Sequence, residues 1–344
     1  MTTCNRCGRS LSNPTSIRRG VGPICARKTR ETIDSSYRDY SQEVDITNRQ
    51  KKTISERRDN IINILEENLD IKESSLMGSF TRGTMTGPID ENSDADILLV
   101  LDSETHGDWA EQEKGPRNAL NAIKRNILNK PQFSDTPVNI RRNVVQVKYS
   151  DVTVEVAPAF DYDQVPHADS PKGGLFGIFQ DTSDGYAIPD THGEQSWQGT
   201  NPRKYKKMFQ ATDRTHDGRL SDLTRTMKKW KDEEDLPVRS YHMEIMVYNY
   251  FEDKAKTGDN VPESYEELTQ EFMDELSVRI KEPAKEPVYG ESVDKGTSDK
   301  ERKEVSKEAE KAKNKLDEAQ ELRKAGKEEE AKEKLKEVHG SGFN

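Results

Sequence analysis

Apolar and polar positions predict a β-sheet with flanking helices in the first half of the chain. Residues 97–101 form a continuous apolar run, as expected for a buried strand. Residues 144–149 and 152–156 are two β-branched runs joined at Ser150-Asp151, a pattern typical of a tight hairpin. Residues 31–58 predict a connecting helix that continues into residues 61–65, whose apolar spacing suits packing on the sheet.

The second half has a helical pattern. Residues 241–251 and 265–280 predict helices within an α-rich lobe that runs from about residue 202 to residue 280. Residues 282–300 contain two prolines and two glycines, which predicts a loop or linker. Beyond the linker, apolar residues recur at helical spacing on both sides of Gly326, which predicts a helix–turn–helix hairpin.

The strongest chemical signal is a short loop followed by two acids on a strand. Gly78-Ser79 precedes Asp94-Ala95-Asp96, which runs directly into the apolar strand. Side chains alternate along a strand, so Asp94 and Asp96 share one face. Carboxylates held this close favour a cation, and hard oxygen ligands suit magnesium. The alternative for this tripeptide alone is a polar strand entry, and Asp90-Glu91 offers a less favoured acidic register because it does not lead into the strand.

Glu155 is the candidate third carboxylate. It lies with Thr153 on the face opposite Val154 in the second strand of the hairpin. If that strand neighbours the Asp94/Asp96 strand, Glu155 completes a cluster for two metals in phosphoryl transfer. If it does not, Glu155 is an ordinary solvated residue on an outer strand face.

These motifs, with others that follow in order, resemble the bacterial and archaeal cyclic-oligonucleotide synthases related to cyclic GMP–AMP synthase. The resemblance covers roughly residues 40–295 and is specific because several motifs occur in the family's order. It implies an α+β nucleotidyltransferase (polymerase beta-like) fold: a mixed sheet with flanking helices plus an α-helical lobe, bilobed with a central cleft. The motifs are residues 76–84, Asp94-Ala95-Asp96, 154–160, 186–190, Trp197, 200–202, 225–231 and 239–244.

The resemblance also implies a function and a set of site residues. The family makes cyclic di- or trinucleotide second messengers from nucleoside triphosphates such as ATP or GTP, commonly in antiviral defence, and a separate effector protein responds to the product. By carry-over, Gly78 and Ser79 contact the donor phosphates. The ligands of Mg²⁺ or Mn²⁺ are Asp94, Asp96 and Glu155. The groups that hold the triphosphate tail are Lys228 and Ser240.

This chain departs from the family pattern at Glu155, since the third acid is more usually aspartate. Three of the other assignments also have structural alternatives. Lys228 lies in a charged helix and could be solvated, and Ser240 could be the N-cap of the helix that begins near Tyr241. Tyr186 or Trp197 could stack on a base or belong to the core.

The first thirty residues form a separate basic module. They hold seven basic residues, no acidic residue and all three cysteines of the protein. Cys4 and Cys7 form a CxxC knuckle and Cys25 follows later, so the module resembles a small zinc knuckle. A structural zinc prefers four protein ligands, and only three are visible; an unmetallated arm without a disulfide is the alternative. The positive charge suits a nucleic-acid or protein activator.

Composition limits the remaining choices. Of 344 residues, 31% are hydrophobic and 34% are charged, and the net charge is −10. We expect a cytoplasmic protein with no membrane segment, because no apolar stretch approaches a bilayer-spanning length and no signal-peptide pattern opens the chain. The expected domains are a Cys-rich module, a nucleotidyltransferase domain, a helical nucleotide-binding lobe and a charged helical tail, at residues 1–30, 31–200, 201–295 and 296–344.

Two alternative functions stay open. One is a template-independent nucleotidyltransferase that extends RNA, of the CCA-adding or oligoadenylate type; the basic N-terminal module favours it and the acidic whole chain does not. The other is a catalytically silent protein that binds nucleotides or nucleic acid, and the intact set of acids argues against it.

Overall fold

The computed structural model describes residues 2–166, 168, 184–191 and 196–343. The chain divides into two compact units. One, which we call the sheet unit, consists of Ile46–Ala211 and Glu286–Glu291. The other, the helical unit, consists of Met1–Asp45, Thr212–Lys285 and Ser292–Asn344. The N-terminal module, most of the α-rich lobe and the tail thus contribute to one unit, while the domain boundaries expected from the sequence stay predictions.

The sheet unit is built on a mixed sheet, as predicted. Its strands run in the order β1-β2-β5-β4-β3, and β5 also pairs with β6, which pairs with β7. The pairing of β2 with β5 is parallel, whereas the other described pairs are antiparallel. The strands are β1 (Ile71–Leu76), β2 (Asp94–Leu101), β3 (Val138–Arg141), β4 (Val144–Lys148), β5 (Thr153–Asp161), β6 (Tyr186–Asp190) and β7 (Ser196–Thr200).

The two faces of β2 have different surroundings. Ile97, Leu99 and Leu101 point into the main core, where they join apolar side chains of α3 (Asn48–Glu66) and α6 (Gly115–Leu128). Leu98 and Val100 point to the other face and form a small cluster with Ala159 and Tyr186. Since side chains alternate, the face that carries Leu98 and Val100 also carries the acids at the start of the strand. Helices α3 and α6 therefore pack on one face of β2, and the two acids lie on the other face.

The predicted connecting helix is two helices, which corrects the sequence interpretation. The first helix, α2 (Pro23–Glu43), ends before residues 44–47, and α3 begins at Asn48. Thr47 and Gln50 form a capping box, in which the Thr47 hydroxyl accepts from the Gln50 amide and the Gln50 side chain accepts from the Thr47 amide. These bonds satisfy amide groups that a helix start leaves unpaired, so a new helix begins here.

The remaining helices confirm the predicted α-rich pattern. The helices expected at residues 241–251 and 265–280 are present, and residues 281–298 contain no helix or strand element. Gly326, with φ of +80°, lies in the turn between two helices that pack together as the predicted hairpin. The hairpin consists of α11 (Asp299–Lys324) and α12 (Glu328–His339). The other helices are α1 (Pro14–Arg19), α4 (Gly78–Arg82), α5 (Ser103–Glu111), α7 (Pro202–Thr215), α8 (Arg219–Glu233), α9 (Ser240–Thr257) and α10 (Tyr265–Arg279).

The N-terminal module contacts the turn of this hairpin. The Asn5 side-chain amide donates to the carbonyl of Lys324 over 2.7 Å, and the Asn5 backbone amide donates to the carbonyl of Gly20 over 2.8 Å. Asn5 therefore links the cysteine segment both to the turn of the hairpin and to Gly20 within the module. Within the described part of the chain, no helix is long and apolar enough to span a bilayer.

Candidate active site

The carboxylates predicted from the sequence lie side by side on one face of the sheet. Because β2 and β5 are parallel neighbours, Asp96 pairs in register with Glu155, and Asp94 pairs with Thr153. Register partners point to the same face, so Glu155 projects beside Asp96 and one row above Asp94. The condition set by the sequence, that the two strands be neighbours, is met.

The alternative acidic register lies in a turn. The Asp90 carboxylate accepts hydrogen bonds from the Asn92 amide and the Ser93 hydroxyl. The carbonyl of Glu91 accepts from the Thr153 hydroxyl over 2.7 Å. Asp90 therefore stabilises the turn before β2. The two acids that lie on the strand itself are Asp94 and Asp96.

Gly78 brings the backbone of α4 against Asp96. Its φ is +66°, a region that favours glycine, and a Cβ at this position would overlap the Asp96 carboxylate and lie 2.9 Å from its Cγ. The preceding amide, of Met77, donates to the Asp96 carbonyl over 2.9 Å. The requirement for glycine is thus a matter of space beside a site residue, and Ser79 follows in the first turn of α4.

Partial burial and the neighbouring carboxylate together raise the pKa of Asp94. Desolvation by the surrounding protein is the largest cause, the Glu155 charge adds to it, and Lys148 opposes it, so that the pKa rises to about 6. The Asp94 side chain nevertheless keeps exposed surface at the start of β2. A carboxyl group that resists ionisation beside another acid is stabilised as the anion by a cation between them.

The donor set therefore fits a hard divalent ion. All three side chains offer carboxylate oxygens, which Mg²⁺ and Mn²⁺ prefer. Among the described residues, only the three cysteines bring three possible metal-ligand atoms of Asp, Glu, His or Cys within 4.8 Å of one another. The three carboxylates therefore do not all lie within this distance of one another. Bound ions would draw the carboxylates together.

Gln146 is a site residue that the sequence interpretation missed. It lies on β4 in register with Glu155, and its side-chain amide donates to Glu155 Oε1 over 2.6 Å. The signal was present, because a two-residue hairpin turn at Ser150-Asp151 places residue 146 opposite residue 155. The same strand carries Lys148, whose charge lowers the pKa of Asp94.

Lys228 and Ser240 lie in the helical unit, on α8 and α9. The solvated alternative for Lys228 is wrong: the side chain is 3% exposed, and its ammonium lies 2.6 Å from Glu244 Oε2, whose side chain is fully buried. The N-cap alternative for Ser240 is also wrong, because Arg239 occupies the N-cap and Ser240 is the first helical residue. The phosphate role of Lys228 and Ser240 stays a prediction.

The two aromatic candidates are buried. Trp197 is 3% exposed, its indole donates to the Trp109 carbonyl over 3.0 Å, and its ring packs edge-on against Phe160. Tyr186 is 5% exposed and lies under the Arg203 guanidinium. Trp197 is therefore a core residue. Tyr186 belongs to the small apolar cluster on the face of β2 that also carries the acids.

The three cysteines come together, as their spacing predicted. Cys4, Cys7 and Cys25 are free thiols whose sulfur atoms lie within 4.8 Å of one another. A hydrogen bond from the Gly22 amide is the main cause that lowers the pKa of Cys4, to about 6. The Cys7 hydrogen bond is the main cause that raises the pKa of Cys25, to about 11. Amide donors to a thiolate favour metal binding, since the thiolate is the ligand form.

Comparison with known families identifies two segments. Residues 32–173 match the family model of the Second Messenger Oligonucleotide or Dinucleotide Synthetase domain. Residues 2–30 match a family of unknown function, DUF6011. The first match contains Gly78, Ser79 and the three carboxylates, and the second contains the three cysteines.

A curated relative and several solved structures are similar to this chain. A probable cyclic nucleotide synthase of Bacillus cereus (strain VD146) is 26% identical over 207 residues, which are 53% of this chain and 57% of that protein. The match thus spans less than two thirds of that relative's length.

Two of the similar structures cover most of both chains. CdnC of E. coli MS115-1, in complex with HORMA-deltaN, has a TM-score of 0.64 at 15% identity over 92% of this chain and 99% of that one. The Vibrio cholerae DncV cyclic AMP-GMP synthase, in complex with a linear intermediate, has a TM-score of 0.58 at 12% identity over 97% and 92%. At these identities the likeness establishes the fold.

Proposed function

We propose that this chain, whose residues 32–173 match the Second Messenger Oligonucleotide or Dinucleotide Synthetase domain, is a nucleotidyltransferase that makes a cyclic di- or trinucleotide from nucleoside triphosphates. The observation that carries the proposal is the row formed by Asp96 and Glu155 on neighbouring strands, with Asp94 on the same face and Gly78 against Asp96. Three carboxylates beside a backbone segment that only glycine can bring this close suit the binding of a nucleotide and divalent ions.

The residues of the sheet unit have distinct roles in this reaction. Asp94, Asp96 and Glu155 hold Mg²⁺ or Mn²⁺, which when bound activates a hydroxyl and neutralises charge on the phosphates. Gly78 lets the start of α4 lie close to Asp96. The backbone of Gly78 and the hydroxyl of Ser79 contact the donor phosphates in this proposal. The attacking hydroxyl displaces pyrophosphate from the α-phosphorus, so one P–O bond forms as another breaks. Positioning and charge neutralisation supply most of the rate enhancement, with no covalent enzyme intermediate.

Lys228 and Ser240 hold the triphosphate tail in this proposal. The assignment of Lys228 rests on the sequence resemblance alone, since its side chain is 3% exposed and its ammonium lies 2.6 Å from Glu244 Oε2. Ser240 is supported by its place in the first turn of α9, where helix amides favour anions. The two side chains are tested by their effect on the KM for the triphosphate.

The N-terminal module holds structural zinc through Cys4, Cys7 and Cys25 in this proposal, with the fourth ligand from outside this group. Its exposed arginine and lysine side chains suit contact with an activator, and the similar E. coli structure, which is a complex with HORMA-deltaN, favours a protein as that partner. Metal analysis of the purified protein is the test of the zinc: we expect one zinc per chain, lost in Cys4→Ser. Retention of full zinc in Cys4→Ser would contradict this ligand set.

The decisive experiment incubates the purified chain with four labelled nucleoside triphosphates and Mg²⁺ or Mn²⁺. Phosphatase-treated products are resolved by chromatography and mass spectrometry. A phosphatase-resistant cyclic product that is absent with Asp96→Asn supports the proposal, and its mass identifies the bases. Elongation only when RNA is supplied would replace it with the RNA nucleotidyltransferase. Normal turnover by Asp96→Asn would refute the site. A separate effector that responds to the product and an antiviral role belong to the same proposal and are tested once the product is known.

A further inference from the structure

The side chain of Glu155 is unusual for its length and for its partner. It is one methylene longer than an aspartate, so its carboxylate has an additional rotatable bond and a wider range of positions. In the structure that carboxylate is fixed by Gln146, whose amide donates to Oε1 over 2.6 Å. The bond leaves Oε2 as the oxygen that Gln146 does not contact.

The register makes this contact a consequence of the backbone. Gln146 faces Glu155 across the antiparallel β4–β5 pair, and Glu155 faces Asp96 across the parallel β2–β5 pair. Three side chains therefore form one row across the sheet. Directly opposed side chains on one face lie close enough to interact, so the Gln146 amide reaches the Glu155 carboxylate without any loop movement.

We propose that Gln146 is a positioning residue that orients Glu155 as a metal ligand and thereby compensates for the longer acid. The inference rests on the proposed function. A hydrogen bond to one carboxylate oxygen fixes the plane of the group and directs the second oxygen, as partners of metal-ligating carboxylates do. Asn139, the register partner of Gln146 on β3, extends the same row by one strand and provides a matched control.

Mn²⁺ binding to the nucleotide-free protein is the test, measured by electron paramagnetic resonance. Asp96→Asn identifies the signal that belongs to the carboxylate row. Gln146→Met keeps the side-chain length and removes the amide, and we expect it to weaken Mn²⁺ binding by about 10–100-fold. Asn139→Leu removes an amide from the next position of the row and leaves Mn²⁺ binding unchanged.

A double-mutant cycle distinguishes positioning from general destabilisation. Glu155→Asp withdraws the carboxylate from Gln146, so adding Gln146→Met to that background has little further effect on Mn²⁺ binding. Equal losses in both backgrounds, or tighter binding in Gln146→Met, would overturn the proposal. Because the assay contains no nucleotide, it stands even if the chain makes no cyclic product, and that failure would concern the proposed function alone.

Discussion

Replacing Gly78 with alanine tests the close approach of α4 to the carboxylate row. The new Cβ would overlap the Asp96 carboxylate and lie 2.9 Å from its Cγ, closer than ordinary Cβ contacts. The carboxylate is the movable partner, because it ends a side chain whereas Gly78 is fixed by its backbone. We therefore expect the fold to survive and the Asp96 carboxylate to be displaced by about 1 Å, a misplacement that costs about 100-fold in turnover.

Gly83 supplies a matched control at the other end of the same helix. Its φ of +71° is nearly that of Gly78, at +66°, but a Cβ on Gly83 would meet no atom within 4 Å. Alanine in this left-handed conformation costs about 1–2 kcal/mol at either position. Both variants should therefore lose similar unfolding free energy, whereas the large loss of turnover is confined to Gly78→Ala.

Turnover and urea-induced unfolding of the two variants are the measurements. We expect similar midpoints of unfolding for Gly78→Ala and Gly83→Ala, and a difference in turnover under saturating nucleotide. Equal turnover in the two variants would refute the reasoning, because the contact with Asp96 is the feature that separates them. Restoration of Gly78→Ala turnover by high Mg²⁺ would instead indicate that the displaced carboxylate still reaches the ion.

Three further predictions concern charge. Glu155→Gln removes one cause of the raised pKa of Asp94, so that pKa should fall from about 6 but stay above its ordinary value; NMR titration of the metal-free protein measures it. The folded protein binds the Asp94 proton more tightly than the unfolded chain does, so the free energy of unfolding of the metal-free protein should fall as pH rises from about 4 to about 6. Added Mg²⁺ should reverse this loss. A free energy of unfolding that rises over this pH range would contradict the prediction. Glu244→Gln removes the charge beside buried Lys228 and should cost about 3–5 kcal/mol of unfolding free energy. Glu308→Gln, in the more exposed pair with Lys311, should cost about 0–1 kcal/mol, and equal losses would contradict the buried pair's importance.

Local sequence determined most of the carboxylate row. Strand periodicity puts Asp94 and Asp96 on one face, and the two-residue turn at Ser150-Asp151 fixes the register of β4 on β5. These features depend on neighbours along the chain, so they can be read without knowing the fold. The same holds for the hairpin around Gly326 and for the capping box at Thr47, whose partner Gln50 lies three residues further along the chain.

Only the tertiary structure decided which strand lies beside β2. The parallel pairing of β2 with β5 joins segments separated by more than fifty residues, and no local pattern specifies such a partner. The same is true of Lys228, which looks like a solvated residue in its charged helix but is buried against Glu244 of the next helix. The close approach of Gly78 to Asp96 likewise exists only after β1 and β2 have paired. The sequence therefore supplies the acids and their faces, and long-range packing brings them together, because local geometry fixes direction and only tertiary contacts fix proximity.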